Sequence, residues 1–338
     1  MGRSSFPGFP CGLIPVIATL FLALPAVAAD LDSMPLGKGS ELVFATVAEG
    51  SGVLGAEDDF TRRMSPFDRQ ARLKAAGAVS GAEHRAFAAR SVLEWSDRDR
   101  RRIAEAMRGL DARFTELGVG FPKRVLVVKT SGDEEGGAAY TRGEAIMLPA
   151  KILGSATPVL RRLLCHELFH VLSRSAPELR RKLYASIGFE PCGDVTLPGD
   201  FERRRITNPD APAFDHGIRV RVDGVERWMV PVLWSQTADY DAKAGQAFFE
   251  TMEFRLMAVR LEGDPVRGVP EIDAGGAPIM TKPEDAGGFF EQVGRNTGYL
   301  IHPEEILADN FEILVAGERR TPNPEIVRRL GELLRKGD

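Results

Sequence analysis

Along the chain the period of the apolar positions changes several times, and each change predicts an element. Behind Ser96, the residues Ile103, Met107, Leu110 and Phe114 recur at helical spacing, which predicts one long helix over residues 97–117. The run Arg124, Val125, Leu126, Val127, Val128, Lys129 reads instead as a buried strand, closed by a glycine-rich loop carrying Asp133, Glu134 and Glu135. Short strands are expected at residues 138–140 and 145–148. Thr157 and Pro158 then offer an N-cap and a first-turn proline, and the apolar residues between Val159 and Leu172 cover more than one stripe. Such breadth predicts a core-crossing helix that ends near Ser173 or Arg174. Ser175, Pro177 and Glu178 form a capping-box pattern for the next helix, which Gly188 stops.

Further on, residues 218–222 and 225–234 predict a β-hairpin across Asp223 and Gly224. Phe248, Phe249, Met252, Leu256 and Val259 predict a helix over residues 242–261, stopped by Gly263. A short helix is expected near Phe289 and Phe290, another from Pro303 to a stop at Gly317, and a last one from Asn323 and Pro324 through Ile326, Leu330, Leu333 and Leu334. Before residue 96 the pattern is weaker: a strand-like run over residues 42–47, between glycine-rich stretches, reads as an edge or mobile element.

The core-crossing helix contains His166-Glu167-Leu168-Phe169-His170, the HExxH spacing. Residues four apart on an α-helix are separated by roughly 40° and about 6 Å, so both imidazoles can reach one ion from the same face. Glu167 lies about 100° further round, where its carboxylate can act as a general base instead of a ligand. Only 5 histidines occur in 338 residues, so composition seldom produces this match by chance. A catalytic zinc usually takes three protein side chains, and a third ligand is therefore needed. Ser173 and Ala176 stand where the metzincin pattern needs its glycine and third histidine, which excludes that branch; the inverted H-x-x-E-H pattern is absent.

Downstream, His302-Pro303-Glu304-Glu305 opens an acidic helix on which Glu305 and Asp309 share a face. With these residues the chain resembles the gluzincin metallopeptidases, the thermolysin-like group in which a glutamate on a later helix is the third ligand and an aspartate four residues on orients a ligand histidine. The likeness covers two short helices. It implies His166, His170 and Glu305 as ligands of Zn2+, Glu167 as general base and Asp309 as the partner of a ligand histidine. It also implies an α+β, zincin-like fold: a small mixed sheet with an edge strand beside the HExxH helix, followed by a mainly helical C-terminal lobe with a β-hairpin. In that fold an extended peptide pairs with the edge strand that precedes the helix. His170 and Glu305 are 135 positions apart, which leaves Asp241 and Glu178 open as ligands. Glu304 suits the role less, because its neighbour four residues on is Ala308, which accepts no hydrogen bond. Tyr299, His302, His216 and Tyr240 are candidate donors to a tetrahedral oxyanion, and Tyr299 is preferred because it lies just upstream of the Glu305 helix. The expected activity is hydrolysis of peptide bonds in a peptide or protein; a non-peptide or cell-wall amide, or a metal-containing binding protein without turnover, are the alternatives.

Composition narrows the setting. Before Asp30 the chain carries one charge, Arg3, an apolar run, and then Pro25-Ala26-Val27-Ala28-Ala29. This reads as a signal peptide, residues 1–29, cleaved after Ala28 or Ala29, and places the mature protein in the periplasm or outside the cell without stable membrane insertion. Behind it the expected organisation is an N-terminal segment at 30–95, a lobe with the HExxH helix at 96–190 and a lobe with the third-ligand helix at 191–338. With 44 basic and 48 acidic residues the formal charge is -4, which offers no broad basic field and implies no nucleic-acid partner. An oxidising compartment permits a bridge between Cys165 and Cys192, although Cys165, pointing about 100° away from the metal-facing side, reads rather as a small core residue.

Overall fold

In the computed structural model the chain opens with an antiparallel pair, β1 (Ser33–Pro35) and β2 (Glu41–Phe44). The structure describes residues 32–243, 248–318 and 320–336, so the expected signal peptide lies outside the described residues. The strand expected over 42–47 stops at Phe44, and helix α1 (Val47–Gly55) begins, because Thr46 and Glu49 close a capping box. Glu49 N donates to Thr46 Oγ1 at 3.2 Å while Thr46 N donates to Glu49 Oε2 at 2.9 Å. Three short helices follow, α2 (Asp59–Arg63), α3 (Pro66–Leu73) and α4 (Gly81–Arg90), capped by Asp58, Ser65 and Ser80.

The long helix expected over 97–117 is two, α5 (Asp97–Met107) and α6 (Leu110–Glu116). Gly109 breaks it with φ +78°, a left-handed value that costs glycine little. All four stripe residues, Ile103, Met107, Leu110 and Phe114, are buried as expected. Next come β3 (Arg124–Thr130), β4 (Tyr140–Arg142) and β5 (Ala145–Pro149). The first sheet has the order β1-β2-β3-β5-β4, parallel in its middle and antiparallel at both ends, with β4 an edge strand.

Helices α7 (Thr157–Ser175) and α8 (Pro177–Ala185) occupy the expected positions with different caps. Thr157 is the first helical residue and not the N-cap; Ser175 Oγ donates to Leu172 O at 2.9 Å, so no capping box forms before α8. A second, antiparallel sheet is built from β6 (Phe189–Pro191), then, after the single turn α9 (Asp200–Arg203), from β7 (His216–Val222), β8 (Val225–Ser235), β9 (Met252–Glu262), β10 (Arg267–Pro270) and β11 (Met280–Thr281). Asp223 and Gly224, with φ +51° and +78°, turn β7 into β8 as the sequence predicts.

The expected helix over 242–261 is overturned: residues 252–262 are a strand paired with β8 from Trp228↔Val259 to Ser235↔Met252. Met252, Phe254, Leu256 and Ala258 also satisfy a period of two, and an eight-pair ladder with β8 decides between the periods. The chain is thus mixed α+β, with a mixed sheet, a second antiparallel sheet and a helical end made of α10 (Phe289–Val293), α11 (Pro303–Ala316) and α12 (Pro324–Lys336). Residues Leu31–Asp338 form one compact unit, and a single buried cluster joins β2, β3, β5, α5 to α8, β7 and α10 to α12 across the expected boundary at 190/191. Cys165 and Cys192 are both free and buried, in different clusters. No helix among the described residues is long and apolar enough to cross a membrane.

His84 on α4 is 2% exposed, and neither ring nitrogen has a hydrogen-bond partner in the structure. Burial first, and then the charges of Arg72 and Arg142, push its pKa down from 6.5 to about 3. The unfolded chain takes up this proton below about pH 6.5 and the folded chain does not, so stability falls with pH by about 1.4 kcal/mol per unit in this window. Between pH 7 and 4.5, urea unfolding should show the parent losing about 2 kcal/mol more than His84→Leu. A parallel loss in both proteins would rule the assignment out.

Candidate metal centre

Two helices meet at the site. Phe169 on α7 and Phe311 on α11 lie 5.6 Å apart between ring centroids, and Phe311 stacks on Phe114 of α6 at 6.1 Å. Each such pair contributes about 0.5–1.5 kcal/mol beyond its buried area and fixes how the helices face each other. Across that contact, α7 presents His166, Glu167 and His170, and α11 presents Glu304, Glu305 and Asp309. Glu305 Oε2 stands 3.1 Å from His166 Nε2 and 3.5 Å from His170 Nε2. Donor atoms held about 2.0–2.1 Å from one tetrahedral ion are separated by roughly 3.3 Å, so these atoms fit a shared divalent cation.

The other ring nitrogens support the same reading. His166 Nδ1 donates to Asp309 Oδ1 at 2.9 Å, and His170 Nδ1 donates to Glu304 Oε1 at 3.0 Å. Ionised carboxylates only accept, so Nδ1 carries a proton on both rings, and each Nε2 faces the meeting point, where an ion would replace its proton. His170 Nε2 is buried with no hydrogen-bond partner, and a cation at the meeting point would satisfy it. Thr297 Oγ1 in turn donates to Asp309, while Ser173 Oγ and Tyr184 OH donate to Glu304. The sequence reading set Glu304 aside as a ligand and assigned it nothing else; here it orients His170. Two ligand histidines need two acceptors, and that requirement was the signal that could have found it.

Charges in the cluster are strongly coupled. Burial opposes the cationic form of His166, but its hydrogen bonds to Asp309 and Glu305 prevail and hold its pKa up to about 10. His170 is likewise raised, with burial opposed by the charges of Asp210 and Glu305 and by the bond to Glu304. Burial first, then the charge of Asp210, push Glu167 up to about 8. Its Oε2 is buried without a hydrogen-bond partner.

The remaining sequence candidates separate. Tyr299, 43% exposed, belongs to the site: its ring lies 6.3 Å from that of His166, and partial desolvation with the charges of Glu305, Asp210 and Glu167 raises the phenol and keeps it a neutral donor. His302 instead caps α11, its Nδ1 accepting from Glu304 N at 3.1 Å. His216 is bound to Asp215 at 2.5 Å, and Tyr240 packs edge-on against Phe67. Asp241 accepts from Lys243 N and Glu178 pairs with Arg181, so neither reaches the cluster.

One residue absent from the sequence reading is present at the site. Asp210, between α9 and β7, brings a carboxylate oxygen within 4.8 Å of ligand atoms of both Glu167 and His170. Nothing in its local sequence, Asn208-Pro209-Asp210-Ala211-Pro212, distinguishes it from an ordinary turn. The comparisons with known proteins returned nothing: no family model, no curated protein and no solved structure matches the chain. The functional reading therefore rests on this geometry and its chemistry.

Proposed function

We propose that the chain is a zinc-dependent metallopeptidase of the gluzincin type that hydrolyses peptide bonds outside the cytosol, once its signal peptide is removed. The observation that carries this reading is the position of the Glu305 carboxylate between two Nε2 atoms whose rings are each oriented by a carboxylate on the far side. His166, His170 and Glu305 would hold the ion, with Asp309 and Glu304 behind the histidines. When bound, zinc supplies Lewis acidity that lowers the pKa of water at its open position.

Glu167 accepts the proton of the attacking water. The water oxygen forms a bond to the carbonyl carbon, Glu167 passes the proton to the amide nitrogen, the C–N bond breaks, and the second proton of the water goes to the departing amine, which leaves a carboxylate and an ammonium. The phenol of Tyr299 donates a hydrogen bond to the oxyanion as charge develops. A second reading, hydrolysis of a non-peptide amide, is favoured by the edge-strand amide of Thr141, which Asp210 already occupies and an extended peptide would need. Metal analysis of the purified protein, combined with a broad library of quenched peptides, separates the two. One equivalent of zinc with peptide cleavage supports the peptidase; zinc with an uncleaved library and cleavage of non-peptide amides supports the second reading.

A further inference from the structure

The edge of β4 that faces the cleft is already taken. Thr141 N donates to Asp210 Oδ1 at 2.7 Å and Thr141 Oγ1 donates to the same oxygen at 2.6 Å, so the outward amide of the edge strand is capped by a side chain from residues 206–215. Two residues back along this segment, Asn208 Nδ2 donates to Glu305 Oε1 at 2.5 Å, occupying the oxygen of the proposed third ligand that faces away from the histidines. Both ends of the contact are held. Arg174 Nη2 donates to the carbonyl of Asp210 at 3.2 Å, and Thr207 is clamped through its own backbone, its N–H donating to Asp68 Oδ2 at 3.0 Å and its carbonyl accepting from Arg72 Nη2 at 3.0 Å. Arg72, in turn, is buried between Asp68 and Glu135. Buried and hydrogen-bonded at both backbone groups, Thr207 is a firm anchor, whereas no backbone ladder holds Asn208 to Asp210.

We infer that residues 208–210 are an internal occupant of the substrate site: Asp210 stands in for the substrate at the edge-strand amide and at the open metal position, and holds the enzyme latent until the segment is displaced. This rests on the peptidase reading. Three features converge on it. The amide that Asp210 caps is one that an extended peptide would need. Its carboxylate lies within 4.8 Å of ligand atoms of Glu167 and His170, the proposed base and one proposed ligand. With the segment in place, the pocket that Asn208, Asp210 and Tyr299 line together is about 60 Å³, room for a few waters.

The test uses the whole chain, as parent, Asp210→Asn and Asn208→Ala, each loaded with zinc or with cobalt as a spectroscopic probe. Asp210→Asn, which keeps an oxygen that can accept from Thr141 but loses the charge, should weaken zinc binding by about 10-fold or more in chelator competition and change the visible spectrum of the cobalt form. Despite the weaker binding, its kcat/KM for peptides at saturating zinc should rise by about 10-fold or more. Asn208→Ala, which leaves the edge strand untouched, should show a smaller rise in kcat/KM. If the cobalt spectrum and zinc affinity of Asp210→Asn equal those of the parent, or if neither variant is faster with zinc bound, the latency is overturned. Failure of the peptidase reading has a different signature: no zinc in any of the three proteins, or full activity in Glu167→Gln.

Discussion

Glu167→Gln is expected to lower kcat for peptide cleavage by about 10³-fold while zinc content stays at one per chain. Glutamine keeps the size of the side chain and its capacity to accept a hydrogen bond, but cannot take up a proton at any accessible pH, so only the proton-transfer role is removed. Glu167 stands outside the proposed ligand set: Glu305 Oε2 lies 3.1 Å from His166 Nε2, whereas Glu167 groups with His170 and Asp210. The substitution also removes a buried carboxylate that burial and the charge of Asp210 already disfavour in its ionised form. The folded variant should therefore be at least as stable as the parent at pH 8, and a loss of activity cannot be blamed on unfolding. Steady-state rates, metal analysis and urea midpoints on the same preparations check all three expectations. Retained turnover in the glutamine variant would remove the base, and with it the proposed reaction.

Glu305→Ala should cost roughly 10²–10³-fold in zinc affinity. That magnitude follows from dividing the about 10–16 kcal/mol of a four-ligand zinc site among its ligands. Glu304→Ala, one residue away on the same helix turn, should cost less, about 10–100-fold, because Glu304 acts through His170 Nδ1 and never meets the ion. The contrast matters more than either value, since both carboxylates are buried and both lie on α11. Chelator competition at fixed pH measures both, and the rise in melting temperature on zinc addition should shrink in the same order. Equal affinities for Glu305→Ala and the parent would take Glu305 out of the ligand set and leave Asp210 as the next candidate.

How much of this was legible beforehand varies by element. The HExxH helix, the Pro303 helix with its Gly317 stop and the Asp223-Gly224 hairpin were readable, because local chemistry specifies each: apolar periodicity, a first-turn proline, and a turn that needs positive φ at two positions. The short helices before residue 96 were not, since α4 buries only His84 and Ala88 and is specified mainly by its cap at Ser80. Residues 252–262 satisfied both a helical and a strand period, and a ladder with β8 made the choice.

By itself, the sequence determined two imidazoles on one helical face with a carboxylate beside them, and an acidic helix whose Glu305 and Asp309 point the same way. Spacing along one helix sets direction, and that needs no other part of the chain. Only the tertiary structure decided that the two helices meet, that Glu304 turns to His170, and that Asp210 reaches the edge strand and the cluster together. Those contacts join residues from 69 to 143 positions apart, and their geometry comes from how two sheets and a shared core pack around α7, which no local pattern encodes.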